Sequence, residues 1–206
     1  MDIIELVIDE ESKEFSGIEA ISVVESPAIE EDFIALKNED KVRLAEVSKE
    51  KRLLMGAALI PDKPIYRKSG EHEFYIYFSK DTVAKASQMF LKAGNQGQAT
   101  MEHASQKLEG MTVVESWLVE DKIHDKSRKY GLDMPIGTWM VAMKVDNDEV
   151  WNNYVKENKI KGFSIEGYFI DKLNRPKEKI KDTYSKEDKL LKEIIDVLKE
   201  SNTNKK

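Results

Sequence analysis
A serine hydroxyl attacks a carbonyl carbon poorly at neutral pH unless a base within hydrogen-bond reach takes its proton, and that base is usually histidine. The chain carries three histidines, His72, His103 and His124, and no cysteine. Thiolate catalysis and Cys-zinc sites are thereby excluded, so hydrolytic chemistry must use Ser or Thr, carboxylates or a metal. Ser164 stands out first, in the segment Lys161-Gly162-Phe163-Ser164-Ile165-Glu166-Gly167. Period-two alternation puts Phe163, Ile165 and Phe169 on one strand face, read as the core side, and Ser164, Glu166 and Tyr168 on the other. Gly162 and Gly167 bracket the segment and permit close backbone approach, which suits a nucleophile needing a substrate carbonyl and N–H donors nearby. The same string also describes an ordinary strand Ser on a polar face, and it is not the G-x-S-x-G elbow.

His103, in Met101-Glu102-His103-Ala104-Ser105, precedes an apolar run that starts at Met111. A His at a strand entrance can reach a neighbouring strand, although a solvated His has the same local pattern. His72 and His124 lie in charged stretches, SGEHEF and EDKIHDKSRK, and read as solvated. Glu115 is informative for another reason. Simple alternation along Met111–Val119 puts it on one face with Val113, Trp117 and Val119. A carboxylate among apolar groups needs a partner to offset its desolvation, and orienting His103 would supply one. A salt bridge to one of the many lysines would do so equally well.

Glu102, His103, His124 and Asp125 could gather round a metal, but no H-E-x-x-H spacing exists, so neither metal nor cofactor is expected. No Gly-rich loop follows a strand, which leaves nucleotide chemistry without support. The net charge of −6 argues against a general nucleic-acid binder. The acidic start, MDIIELVIDEE, lacks the layout of a signal peptide. No apolar run approaches the roughly 20 residues that span a bilayer. A soluble protein, intracellular where it is made, with no nucleic-acid or membrane partner, is the expectation.

These candidates must be held by a framework. Runs at 53–60, 73–78, 111–119, 138–145 and 162–170 are apolar, aromatic or β-branched and predict strands, 3–8 is strand-like, and 18–24 is a further stretch before the turn-forming Ser26-Pro27. Ser79 reads as the N-cap of a helix with Val83, Ala86, Phe90 and Leu91 on one stripe and Gly94 at its end. Val150, Trp151, Tyr154 and Val155 mark a second, shorter helix over 147–158. At least five strands against two helices predict an α+β fold, mainly β, with an antiparallel or barrel-like core and helices outside. Residues 31–50 are charged and aperiodic and read as loop or frayed helix. Residues 1–172 form the expected catalytic domain. Residues 173–206 form a linker broken at Asn174-Arg175-Pro176, an amphipathic charged helix from Ser185 through Leu198, and a disordered end.

Eight segments in order match one family: Ile21–Ile29 with Asp32-Phe33, Met55–Arg67, Tyr75–Thr82, Glu102-His103, Val114–Trp117, Asp125–Ser127, Gly137–Met140 and Lys161–Gly167. By these the chain resembles the XkdF-like phage serine proteases, relatives of the prohead proteases. The resemblance implies a herpesvirus-assemblin-like β-barrel surrounded by helices, with Ser164 as nucleophile and His103 as general base. Glu115 is preferred as the third member, with Glu166, Asp125 or a second His (His72 or His124) as alternatives. Backbone N–H groups would form the oxyanion site. The resemblance further implies a homo-oligomeric endopeptidase that cleaves phage scaffold and major capsid proteins, and itself, within the immature capsid in the host cytoplasm. A degenerate, inactive protease fold that only assists shell assembly would carry the same motifs.

Overall fold
A computed structural model of the chain describes residues 2–9, 16–30, 34–36 and 51–173. The described residues all lie in one compact unit. The expectations for residues 31–33, 37–50 and 174–206, the charged C-terminal helix included, lie outside the described residues.

Eleven strands are described: β1 (Asp2–Val7), β2 (Gly17–Val24), β3 (Ile34–Leu36), β4 (Leu53–Leu59), β5 (Ile65–Ser69), β6 (His72–Phe78), β7 (Ala99–Met101), β8 (Met111–Leu118), β9 (Trp139–Val145), β10 (Gly162–Tyr168) and β11 (Ile170–Asp171). The α-helices among the described residues are α1 (Lys80–Lys92), α2 (Lys126–Lys129) and α3 (Asp148–Val150), the last running on into a π-turn over Trp151–Val155. The chain is mainly β, as its alternation predicts.

The described strands do not close into the expected barrel. Hydrogen bonding divides them into three open sheets, ordered β11-β1-β6-β5, β10-β2-β7 and β3-β4-β9-β8. Nor is the pairing wholly antiparallel, because β1 runs parallel to β6 and β2 parallel to β7. Irregular register in the β4–β9, β8–β9 and β2–β10 ladders bends the strands and interrupts continuous pairing.

The core draws on every layer. Trp139, Trp151, Phe90, Phe163 and Leu54 are fully buried. Helix α1 forms where its apolar stripe falls at helical spacing, burying Val83, Ala86 and Phe90. Ser79 is its N-cap residue and Asp81 lies in its first turn, where the helix dipole favours negative charge. Gly94 ends it in the left-handed region at φ 75°. The ring of Phe90 meets Trp139 of β9 edge-on at 5.4 Å, tying the helix to the sheet. Strand β2 matters most for the site. Seven of its eight residues are buried, because it lies between β10 and β7 and both its faces are covered.

Candidate active site
The three strands β10, β2 and β7 lie side by side, and their register aligns hydroxyl residues. Ser164 of β10 is opposite Ser22 of β2, and Ser22 is opposite Thr100 of β7. Opposed residues project from the same face, so the three form a row across the sheet. All three are buried. Glu166, two residues beyond Ser164, projects from the same face by alternation. Its carboxylate turns back along the row, where Oε1 accepts hydrogen bonds from Ser22 Oγ and Thr100 Oγ1.

His103 enters this row from the end of β7. Glu102 and His103 both adopt left-handed backbone, with φ 49° and 58°. Two adjacent non-glycine residues in this region cost free energy and persist only where their surroundings hold them. Here the ladder continues through Glu102 N–H to Val23 O at 3.2 Å. Ala104 N–H closes the turn on Met101 O at 2.9 Å. The Glu102 carboxylate accepts the Glu25 N–H at 2.6 Å, pinning the turn to the end of β2. The His103 N–H donates to Ser22 Oγ at 3.3 Å. The imidazole Nδ1 lies 3.4 Å from Glu166 Oε1 and 3.4 Å from Ser22 Oγ. The site is open on the imidazole side, the His103 side chain being 47 % exposed, while Glu166 is 29 % exposed.

Ser164, Glu166 and His103 thus belong to one patch. The Ser164 hydroxyl makes no hydrogen bond to any described residue; its link to the patch is the strand register. Glu115 is elsewhere. A bulge in the β8–β9 ladder between Val113 and Glu115 inserts Val114 as an extra residue. Everything beyond it changes face, because the side-chain period is two. Ser116, not Glu115, then points inward and accepts the Trp139 indole N–H at 2.8 Å. Glu115 is exposed and paired with Lys126. The expected Glu115–His103 contact is therefore absent, and Glu166 is the carboxylate beside the imidazole. Asp125, His72 and His124 are engaged apart from the row. Asp125 caps α2 through the Ser127 N–H at 2.8 Å. His72 faces Asp2 at 3.6 Å, and His124 faces Asp121 at 3.2 Å.

Ser22 and Thr100 escaped the sequence reading. Ser22 had a weak signal, a single hydroxyl in the apolar run of β2. Thr100 had none, since only the β2–β7 register brings it to the carboxylate.

A family model described as "Putative phage serine protease XkdF" matches residues 41–171 of the chain. The match takes in Thr100, His103, Ser164 and Glu166 but begins beyond Ser22. No curated protein and no solved structure matches the chain.

Proposed function
The chain belongs to the XkdF family of phage serine proteases, and from that membership we propose that it is a serine endopeptidase of prohead maturation, with Ser164 as nucleophile, His103 as base and Glu166 as the orienting carboxylate. The observation that carries this reading is the 3.4 Å approach of His103 Nδ1 to Glu166 Oε1, on the strand face that Ser164 shares. With the Nδ1 proton on the carboxylate side, Nε2 carries the lone pair. Nε2 takes the Ser164 proton as Oγ attacks the scissile carbonyl, then gives it to the leaving amine. The Glu166 carboxylate holds the ring and stabilises the imidazolium formed between the two steps. Water repeats the sequence on the acyl-enzyme and frees Ser164. The substrates are scaffold and major capsid proteins of the phage, and the enzyme's own chain. The protease acts as a homo-oligomer inside the immature shell in the host cytoplasm.

One feature favours a second reading, a protease fold that assists assembly without cleaving: the Ser164 hydroxyl is not hydrogen-bonded to His103. Such contacts often tighten only with substrate bound, and the two readings part on cleavage. Wild-type and Ser164→Ala protein incubated with the phage's capsid and scaffold proteins decide it. Fragments seen by mass spectrometry with wild type and lost with Ser164→Ala establish the peptidase. Shell binding without fragments establishes the assembly module.

A further inference from the structure
We infer that Ser22 and Thr100 are positioning residues that hold the Glu166 carboxylate against His103, an assignment that rests on the reading of Glu166 as the orienting group. The basis is a proton count. Each hydroxyl carries one proton and can also accept. Glu166 Oε1 lies within reach of both hydroxyls and of His103 Nδ1. The carboxylate only accepts, so Ser22 and Thr100, themselves in contact with each other, each turn a proton to it, and His103 Nδ1 stands 3.4 Å from the same oxygen. Ser22 Oγ still has lone pairs, and it accepts the His103 backbone N–H at 3.3 Å. Ser22 therefore joins the backbone of the base to the carboxylate that orients its ring.

Burial makes this arrangement directional. Ser22 is fully buried and Thr100 is 7 % exposed, on strands fixed by their ladders. Glu166 is 29 % exposed and has a flexible side chain. Without the two donors its carboxylate would turn to water, where it is better solvated, and leave Nδ1. Ionic attraction to His103 would not retain it, because partly exposed pairs are weak. The rigid hydroxyls thus select the rotamer in which Glu166 serves the imidazole.

Thr100→Val keeps the β-branched shape and removes only the donor, Thr100→Ser keeps the donor, and Ser22→Ala removes the second one. Ring nitrogen shifts of His103 in 15N spectra, followed over pH and compared on the plateau of the neutral ring, report which nitrogen holds the proton. The Nδ1–H form is expected in wild type and Thr100→Ser. Thr100→Val and Ser22→Ala are expected to move the population toward Nε2–H, as Glu166→Gln does. An alkyl fluorophosphonate supplies the kinetic readout, forming a P–O bond at Ser164 Oγ as fluoride leaves. Its labelling rate is expected to fall about tenfold to a hundredfold in Thr100→Val and to recover in Thr100→Ser. In a Glu166→Gln background Thr100→Val should cause no further fall, since it acts through that carboxylate. Unchanged ring shifts in both Thr100→Val and Ser22→Ala, alongside a clear change in Glu166→Gln, overturn the positioning role. Labelling losses that multiply with Glu166→Gln do so as well. Ring shifts and labelling that ignore Glu166→Gln itself overturn instead the reading of Glu166 on which the role depends.

Discussion

Replacing Gly167 by alanine tests the geometry that carries the site, because the space for one methyl group can be measured directly. A Cβ there would lie 2.0 Å from the Gly17 carbonyl oxygen, 2.8 Å from Ile18 Cα and 2.9 Å from the Gly17 carbonyl carbon. All three obstacles are backbone, so no side-chain rotation relieves them. Moving the oxygen to a tolerable 3.0 Å requires β10 and β2 to separate by roughly 1 Å at this point, against a normal strand spacing of about 4.8 Å. Ladder hydrogen bonds of ordinary length do not survive that displacement. Gly167 opposes Ile18 and Tyr168 opposes Gly17 at the bulge that follows Glu166. Losing about two ladder bonds costs about 2 kcal/mol. Loosened packing around Ile18, which is fully buried, adds about 1–2 kcal/mol. The expected loss is thus about 3–4 kcal/mol, read as the fall in unfolding free energy from urea titrations followed by far-ultraviolet circular dichroism. Gly97, which has nothing within 4 Å of its built Cβ and no positive φ, is the control. Its alanine variant should stay within about 0.5 kcal/mol of wild type. A Gly167→Ala protein as stable as the Gly97→Ala protein would refute the close approach of the two strands, and with it the placement of Glu166.

Further expectations follow from the same structure. Glu166→Gln should slow fluorophosphonate labelling of Ser164 by about a hundredfold or more, whereas Glu115→Gln, which loses only an exposed pairing with Lys126, should label at the wild-type rate; equal rates for the two variants would return the third role to the open. Phe90→Ala should cost about 3–5 kcal/mol in chemical denaturation, because a fully buried ring packed edge-on against Trp139 leaves a cavity behind. Backbone N–H groups of His124 and then Ile123, with the His124 ring, hold the Asp121 carboxyl down to about 2, below its ordinary 3.8. Since the folded value is the lower one, its stabilisation is fully present above the ordinary carboxylate value and disappears as pH falls toward about 2. The stability difference between wild type and Asp121→Asn should therefore shrink across that acid window, and a difference independent of pH would contradict the loop geometry.

The residue pattern alone determined the mainly β class and the extent of most strands, because a half-buried strand must alternate and a buried one must be apolar. It also determined α1 with its Ser79 start and Gly94 end, since caps and apolar stripe are local properties of the chain. Strand β5 was missed although Ser69-Gly70 is a turn signal before the aromatic run of β6. The pairing of β2 with β7, 75 or more residues apart and parallel, left no mark in either segment. The ordered motifs singled out Ser164 and His103 and favoured Glu115 as the third member, with Glu166 among the alternatives. Tertiary structure puts Glu166 beside the imidazole and Glu115 against Lys126. One inserted residue at Val114 reverses which side of β8 faces inward, and alternation counted along a sequence does not register a bulge that exists only against a partner strand. The same holds for Ser22 and Thr100. Each is an ordinary hydroxyl in its own strand, and only the register of β10, β2 and β7 puts them in one row with Ser164, beneath a carboxylate that faces the imidazole.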